Sequence, residues 1–459
     1  MSMKNHPVHS RRGSVVVLVL WSIAVAAIMI SSVQLFAHRQ ATLGRETLDR
    51  IQARWAARAG LEQIMNVMAE HTMNPVPEDA KALYRDMQYV AMGELAGASY
   101  DILHHQDGID YIFPMDEHSK LNINRNSDRG LLLVFDNMTL DVLEAIGDWI
   151  DADDDPSTLG VERDYYLNLE LPYEPRNGPL RSIGEIELIA GIWPKHFRGE
   201  DWNLNNRLDP NEDDGGRSMP PDEPDGILDA GWSRHLTVYS VAGGATYSGQ
   251  PRIRLLDASV EELQKRLGVT AAQAEALIQY GRNPQNQLSD LLVTPLVAAS
   301  NTNNTASQQG SGLSGRQVGQ PSSPQVAPLT DDQLRAVLTE TCIEDPLDRL
   351  PGKMNINTVP ARFLRDLFVL MNIDEAIADE IIYMRASRPE GITSLVDLKS
   401  IPNIPTEALR AIGQRFDTIS NVFTVTSRGR SFASGLEVEI IAVVDRSTVP
   451  VRIIEYREQ

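Results

Sequence analysis

Residues from Gly13 through Phe36 carry no charge and follow Lys4, Arg11 and Arg12. At about 1.5 Å per residue, a helix of that length crosses the roughly 30 Å of a bilayer's hydrocarbon. Basic residues ahead of the span place a short leader on the cytoplasmic side and the remainder of the chain outside. Beyond the span, Leu48, Ile51 and Trp55, then Leu61, Met65 and Met68, recur every three or four positions among Arg, Glu and Gln. No proline interrupts that pattern before Pro75. One helix is therefore predicted to run from the membrane into a soluble domain, with this apolar stripe packing on a sheet. Three schemes suit the N-terminus: a secretory signal cut at Ala24-Val25-Ala26, an uncleaved anchor, and cleavage at the front of the apolar helix. Apolar residues continue for half a span past Ala26, further than an ordinary signal needs.

The period then shortens to two. Tyr100, Ile102, Ile109, Tyr111 and Phe113 alternate around Asp107-Gly108, which predicts a hairpin because Asp-Gly accepts a positive φ. His104-His105 fall in that segment and are expected to face solvent or neighbouring strands. Three more strands are predicted at Val422–Thr426, Leu436–Val444 and Val451–Tyr456. A helix and strands at both ends of the chain imply one α+β domain with a large insertion.

The insertion carries an internal repeat. Lys120-Leu121-Asn122-Ile123-Asn124 returns as Lys353-Met354-Asn355-Ile356-Asn357, and Ser182–Ile189 resembles Ser394–Ile401. A fainter copy spans Arg252–Leu292. Short helical units stack their apolar faces on one another, so an all-α lobe is expected. Ile401-Pro402-Asn403-Ile404-Pro405 has the form of a helix-hairpin-helix tip. Its two prolines lack the N–H that would meet a phosphate, which favours a structural or protein contact. Residues 300–328, rich in Asn, Gln, Ser and Gly, read as a disordered linker.

Composition narrows the function. With 42 basic and 63 acidic residues the formal net charge is −21, which argues against a nucleic-acid partner. A single cysteine, Cys342, excludes an internal disulfide framework and any CxxC motif, and it is read as a small buried hydrophobe. No GxSxG, HExxH or P-loop is present, and no enzyme is expected.

The acids are concentrated in loops. In the segment 201–212, Asp201, Asn203, Asn205, Asp209 and Glu212 fall at positions 1, 3, 5, 9 and 12, and Arg207 offers its carbonyl at position 7. That spacing wraps a hard cation such as Ca²⁺. Asn206 stands where Gly is usual, and Asn tolerates the left-handed conformation. Asp222, Asp225-Gly226 and Asp229 form half of a similar loop, with Trp232 at its closing position. A further cluster follows Asp148-Trp149: Asp151, Asp153, Asp154 and Asp155, then Glu162 and Asp164 before Tyr165-Tyr166. Three consecutive carboxylates ordinarily form a solvated turn. Without His or Cys at ligand spacing, zinc is not expected.

Taken in order, the basic leader ending in Gly13, the segment Ala56-Ala57-Arg58-Ala59-Gly60-Leu61-Glu62, the two KLNIN-type motifs, the Asp148–Pro156 segment and the C-terminal strands resemble the general secretion pathway protein K family. These are minor pseudopilins of type II secretion systems. The resemblance implies an α+β pseudopilin fold: a long N-terminal helix on an antiparallel sheet, with a large inserted lobe of helix-hairpin-helix-like repeats. It divides the chain into a leader (1–13), a transmembrane helix (14–36), pseudopilin helix and first strands (37–118), the first part of the lobe (119–299), the linker (300–328), the last repeat (329–413) and C-terminal strands (414–459). It implies prepilin-peptidase cleavage between Gly13 and Ser14 with methylation of the new amine, an inner-membrane anchor and a periplasmic domain. Implied partners are the minor pseudopilins of the I and J classes and the major pseudopilin, with structural Ca²⁺ in the acidic loop before the paired tyrosines. Pseudopilins usually carry Glu at the fifth mature position. Here that residue is Leu18, a departure shared with the K class that suits the first, tip-most subunit. The rival readings are a tethered DNA-uptake protein and a minor subunit of a type IV pilus. Leu18→Glu is predicted to move the protein from the tip into pseudopilus shafts. Immunogold labelling would show it, and unchanged tip placement would instead credit the lobe.

Overall fold

The computed structural model describes residues 12–106, 108–243, 246, 248–296, 326–345 and 348–459. Helix α1 (Arg12–Met73) runs unbroken for 62 residues. Its stretch Val15–Met73 is, among the described residues, long and apolar enough to cross a membrane. Next come α2 (Ala82–Val90), β1 (Met92–Leu95), β2 (Ala98–Ile102), the short strands β3 (His104–Gln106) and β4 (Ile109–Tyr111), and β5 (Met115–Asp116).

The lobe then folds as three units, each closed by a two-residue parallel strand pair. The first opens on β6 (Leu121–Asn122), passes through α3 (Leu140–Ile150), α4 (Arg163–Leu167) and α5 (Pro194–Phe197), and closes on β7 (Leu236–Thr237). The second runs from β8 (Ile253–Arg254) through α6 (Val260–Leu267), α7 (Ala271–Gly281) and α8 (Asp331–Glu340) to β9 (Thr341–Cys342). The third runs from β10 (Met354–Asn355) through α9 (Ala361–Leu370), α10 (Glu375–Ser387) and α11 (Thr406–Arg415) to β11 (Phe416–Asp417). The expected all-α lobe is thus corrected: the KLNIN-type motifs are strands, and a parallel pair closes naturally over a helical crossover.

The motif's asparagines explain why two copies are plain and one is faint. Asn122 donates to the Ser240 carbonyl (2.8 Å) and accepts from the Asn124 amide (3.0 Å). Asn124 exchanges two bonds with the Leu180 backbone at 2.9 and 2.8 Å. In the third unit Asn355 donates to Ser420 Oγ (2.8 Å), and Asn357 exchanges the same pair with Ile392 at 2.9 and 2.8 Å. The middle unit keeps the strand pair but has Arg254 and Leu256 at the corresponding places.

Three long strands finish the chain: β12 (Val422–Ser431), β13 (Glu437–Asp445) and β14 (Arg452–Glu458). The principal sheet is antiparallel in the order β1-β2-β12-β13-β14, with β5 also pairing β12. The fold is therefore α+β, a long apolar helix against an antiparallel sheet. The hairpin is shorter than its alternation suggested. Tyr100 and Ile102 lie on β2 in the main sheet, and only β3 and β4 form the hairpin, in the register His104↔Tyr111. Both histidines are buried: His104 Nδ1 donates to the Phe113 carbonyl (2.9 Å) and His105 pairs with Asp110 (2.8 Å). Cys342 lies half-buried in β9, where burial pushes its thiol up to about 11. The 300–328 segment falls largely outside the described residues. Its end, Ala327 and Pro328, accepts bonds from Gln273. At the helix-hairpin-helix-like tip Asn403 takes a φ of 57°.

Two large hydrophobic cores result, one running through the lobe and one between α1 and the sheet, with a small third cluster where Tyr239 meets Val422 and Val443. In the second, Ala56, Ala57, Leu61, Ile64 and Met68 are fully buried against Ile102, Phe423, Val425 and Ile440. Leu48, Ile51 and Trp55 do not join them; Trp55 is 62% exposed. The expected stripe is correct for Leu61 and Met68 and wrong for its first half, because small residues, not large ones, let this helix approach the sheet. Backbone contact sets the distance. A Cβ at Gly429 would overlap the Ala53 carbonyl, and one at Gly60 would stand 2.6 Å from Ser427 Oγ, which donates to the Ala57 carbonyl at 2.8 Å. Gly429→Ala is predicted to lower stability by roughly 1–3 kcal/mol through overpacking, read as a lower midpoint in urea unfolding with an unchanged slope.

Candidate metal centres

The last turn of α3 and the first residue ahead of α4 face each other across the acidic loop. Trp149 and Tyr166, both buried, meet edge to face at 5.2 Å, and Tyr166 Oη accepts the Ala190 amide at 3.3 Å. This packing fixes the two helices. Asp148 and Asp151, three positions apart, then share a face, and Glu162 comes to meet them. One carboxylate oxygen from each lies within 4.8 Å of the others. Asp148 is held by the Ser157 amide (3.1 Å) and hydroxyl (2.5 Å). Glu162 is only 5% exposed, and neither of its oxygens has a hydrogen-bond partner among the described residues. Gly160 lies against the cluster: a Cβ there would reach 2.7 Å from Asp148 Cγ. Burial, then the charges of Asp148 and Asp151, push the Glu162 carboxyl up to about 7. Asp151 is raised by burial and then by Asp153. A buried, unpartnered carboxylate beside two others fits a hard divalent cation.

The sequence singled out more acids here than the structure brings together. Asp153 accepts the Asp155 amide at 3.1 Å, and Asp154 accepts from Asn177 at 2.8 Å. Asp155 and Asp164 are exposed and stand outside the three-carboxylate group. Asp148, by contrast, was not among the residues assigned as ligands. Its three-residue spacing from Asp151 at a helix end was the available signal.

The second centre is the loop 201–212. Asp201 accepts the amides of Asn205 (2.9 Å) and Asn206 (3.0 Å), and Asn205 Oδ1 accepts that of Arg207 (2.8 Å). The wrap requires left-handed residues, and Leu204 and Asn206 supply them with φ of 55° and 57°. Glu212 closes the loop by accepting the Trp202 and Asp209 amides, both at 3.2 Å. Asp209 takes Asn203 (3.0 Å), Asn205 (2.8 Å) and Arg428 (2.6 Å). Burial pushes Asp209 up, but Arg428 and the two asparagines outweigh it and leave the carboxyl below its usual range. Asp201 is pushed up to about 6 by burial against the pull of its two amides. Glu212 is pushed up to about 8, by burial and then by Asp201. Two buried acids side by side repel, and here each of their oxygens already accepts a backbone amide of the loop. Arg207 has a second role: its guanidinium bridges Asp101 and Glu439, tying the loop to the sheet.

The half-loop at 222–229 is likewise satisfied by backbone amides. Asp222 accepts the Asp214 and Gly216 amides (2.7 and 2.8 Å), Asp225 that of Ile227 (2.9 Å) and Asp229 that of Gly231 (3.2 Å). Glu200 ties the ends by accepting the Glu223 and Asp229 amides at 2.8 and 3.0 Å. Backbone N–H groups do there what a cation would do elsewhere, and Trp232 is a core residue donating to the Asp136 carbonyl at 2.9 Å. Asp201, Asn203, Asn205, Asp209 and Glu212 are thus brought together. Gly13 and Ser14 lie in the first turn of α1, the preceding residues fall outside those described, and Leu18 is exposed on α1.

A membrane-length helix packs its C-terminal part on an antiparallel sheet, into which a repeat-built lobe is inserted. Part of that lobe is similar to protein K of type II secretion systems. Residues 130–199, which include Asp148, Asp151 and Glu162, match the family described as Type II secretion system (T2SS), protein K. The type II secretion system protein K of Klebsiella pneumoniae is 23% identical over 203 residues, 40% of this chain and 59% of that protein. The counterpart from Pectobacterium carotovorum subsp. carotovorum is 41% identical over 51 residues, 11% of this chain and 16% of that one. The putative type II secretion system protein K of Escherichia coli K12 is 27% identical over 204 residues, again 40% and 59%. The chain thus spans about three fifths of the length of its longer-matching relatives. A solved structure, the GspK-GspI-GspJ complex from the type II secretion system of enterotoxigenic Escherichia coli, aligns with a TM-score of 0.44 and 11% identity, over 91% of this chain and 99% of that one.

A carboxyl whose folded pKa is raised stabilises the fold only while it holds its proton. The contribution is complete below the unfolded value near 4.5 and gone above the folded one. In chelator, the protein is therefore predicted to lose stability as pH rises from about 4.5 towards about 8. Glu162→Gln and Glu212→Gln should each flatten that loss, as urea midpoints across the range will show.

Proposed function

We propose that this chain is a minor pseudopilin of a type II secretion system that initiates and caps the pseudopilus tip. The observation that carries the reading is the union, in one chain, of a membrane-length helix continuous with an α+β domain and an inserted lobe whose first unit matches protein K. In this reading prepilin peptidase cuts between Gly13 and Ser14, and the new amine is methylated. The helix stays in the inner membrane with the soluble domain in the periplasm. Leu18 offers no carboxylate to a neighbour's amine, so the subunit has no partner above it. The lobe blocks further addition on that side, and subunits of the I and J classes, then the major pseudopilin, follow below. The role is structural, with no catalytic step.

Calcium belongs to the same reading. Asp148, Asp151 and Glu162 would hold one ion, and Asp201, Asn203, Asn205, Asp209, Glu212 and the Arg207 carbonyl another. Each would relieve repulsion between buried acids and stiffen the lobe. In calorimetric melting calcium should raise the transition relative to chelator, with a smaller rise in Glu162→Gln; no shift would remove the ion from the account. The assembly role is tested by intact-mass analysis of protein purified from membranes with and without prepilin peptidase. A chain beginning at Ser14 with a methylated amine, co-purifying with I- and J-class subunits, is the expected result. A chain beginning at Ala27, or one left uncut, would overturn it.

A further inference from the structure

Between the β3–β4 hairpin and the third unit lies a cavity of about 360 Å³ that the assembly role does not use. This volume falls within the range of small-ligand pockets, about 300–1,000 Å³. One wall is a chain of four rings. Tyr84 meets Phe113 edge to face at 6.2 Å, Phe113 meets His104 at 5.1 Å, and His104 stacks on Tyr111 at 5.4 Å. Tyr111 and Phe113 belong to neither hydrophobic core and are only half-buried; their rings line this space.

His104 is 4% exposed, and its Nδ1 is committed to the Phe113 carbonyl. Burial holds the imidazole neutral, with its pKa down at about 4. Its Nε2 is therefore a hydrogen-bond acceptor, and it has no partner among the described residues. Across the cavity stand two cations. Arg385 Nη1 donates to the Ile356 and Val359 carbonyls (2.9 and 2.7 Å), and Lys81 Nζ to those of Arg385 and Arg388 (2.6 and 2.9 Å). Among the described residues neither has a carboxylate within ion-pair distance, but Asp79 and Glu390 lie near enough to Lys81 to act on its charge. The acid on the wall, Asp116, is already engaged by Tyr84, Ser420, Thr358 and the His118 amide.

An aromatic wall, a lone acceptor and two cations, of which Arg385 has no carboxylate beside it among the described residues, make a three-point site. We propose that this pocket binds an aromatic amino-acid residue with a free α-carboxylate: its ring against Phe113 and Tyr111, its carboxylate on Arg385 and Lys81, its amide N–H on His104 Nε2. A polypeptide's C-terminal aromatic residue and a free N-acylated amino acid share this chemistry.

The test uses the full chain in detergent, titrated calorimetrically with N-acetyl-phenylalanine and with its neutral amide. The acid should bind about tenfold tighter than the amide, as a charge-assisted pair requires. Arg385→Gln should abolish that preference, and Phe113→Ala should weaken both ligands. Lys81→Met serves the same purpose as Arg385→Gln if loss of that residue's carbonyl contacts prevents folding. Gly-Gly-Phe binding as tightly as the acylated amino acid would assign the pocket to a chain end, and binding of the small acid alone to a free metabolite. Equal binding of acid and amide, no saturable binding of the acid, or a preference that survives both cation variants would overturn the proposal.

Discussion

Every element of the folded domain is referenced to one close approach, that of α1 to the sheet. The helix lies near enough for Ala57 to accept a bond from a strand serine, and Gly429 sits where any side chain would strike the Ala53 carbonyl. Backbone-to-backbone contact of this kind has almost no slack, since interiors are packed like crystals. It fixes the angle at which the membrane-length helix enters the domain. β12, which makes that contact, also borders β2 and β5 and faces the loop 201–212.

From β12 outward, polar contacts take over from apolar ones. Asp116 and Glu117 occupy the seam where the sheet ends and the lobe begins. Glu117 accepts from Thr237 of the first unit and Thr424 of β12 (2.7 Å), and Lys120 stands 3.6 Å away. Such buried, satisfied networks fix a single geometry, because any shift leaves a charged group unpaired. The loop 201–212 closes the same seam from the other side through Arg207 and Arg428. The lobe is therefore positioned on the sheet chiefly by charge, with one small apolar contact where Tyr239 meets Val422 and Val443.

Much of this was legible in the chain. The C-terminal strands, the long helix and the duplicated asparagine motif follow from period and repetition, which local sequence encodes directly. What failed did so for tertiary reasons. Leu48, Ile51 and Trp55 have helical spacing, but spacing names a face without saying what covers it. Alanines proved to be the buried residues because proximity favours small side chains. His104 and His105 face the neighbouring strand and not solvent, the second of the two expected alternatives, and nothing nearby in sequence announces the Phe113 carbonyl or Asp110 as partners. In the acidic loop after α3 the run of aspartates is the visible signal, yet the buried, unpartnered carboxylate belongs to Glu162, brought in by the Trp149–Tyr166 contact. Asp148 was passed over because its membership depends on where α3 stops.

The pairing of Asp116 with Phe423 has a consequence for how such a chain can change over time. The insertion leaves and re-enters the sheet at two hydrogen-bonded neighbours, so to the sheet the entire lobe is a loop with touching ends. Closing such a loop costs entropy that grows only with the logarithm of its length. Polar tracts within the lobe can thus lengthen at little cost to the helix or the strands beneath, provided the contacts of Glu117, Arg207 and Arg428 across the seam are kept.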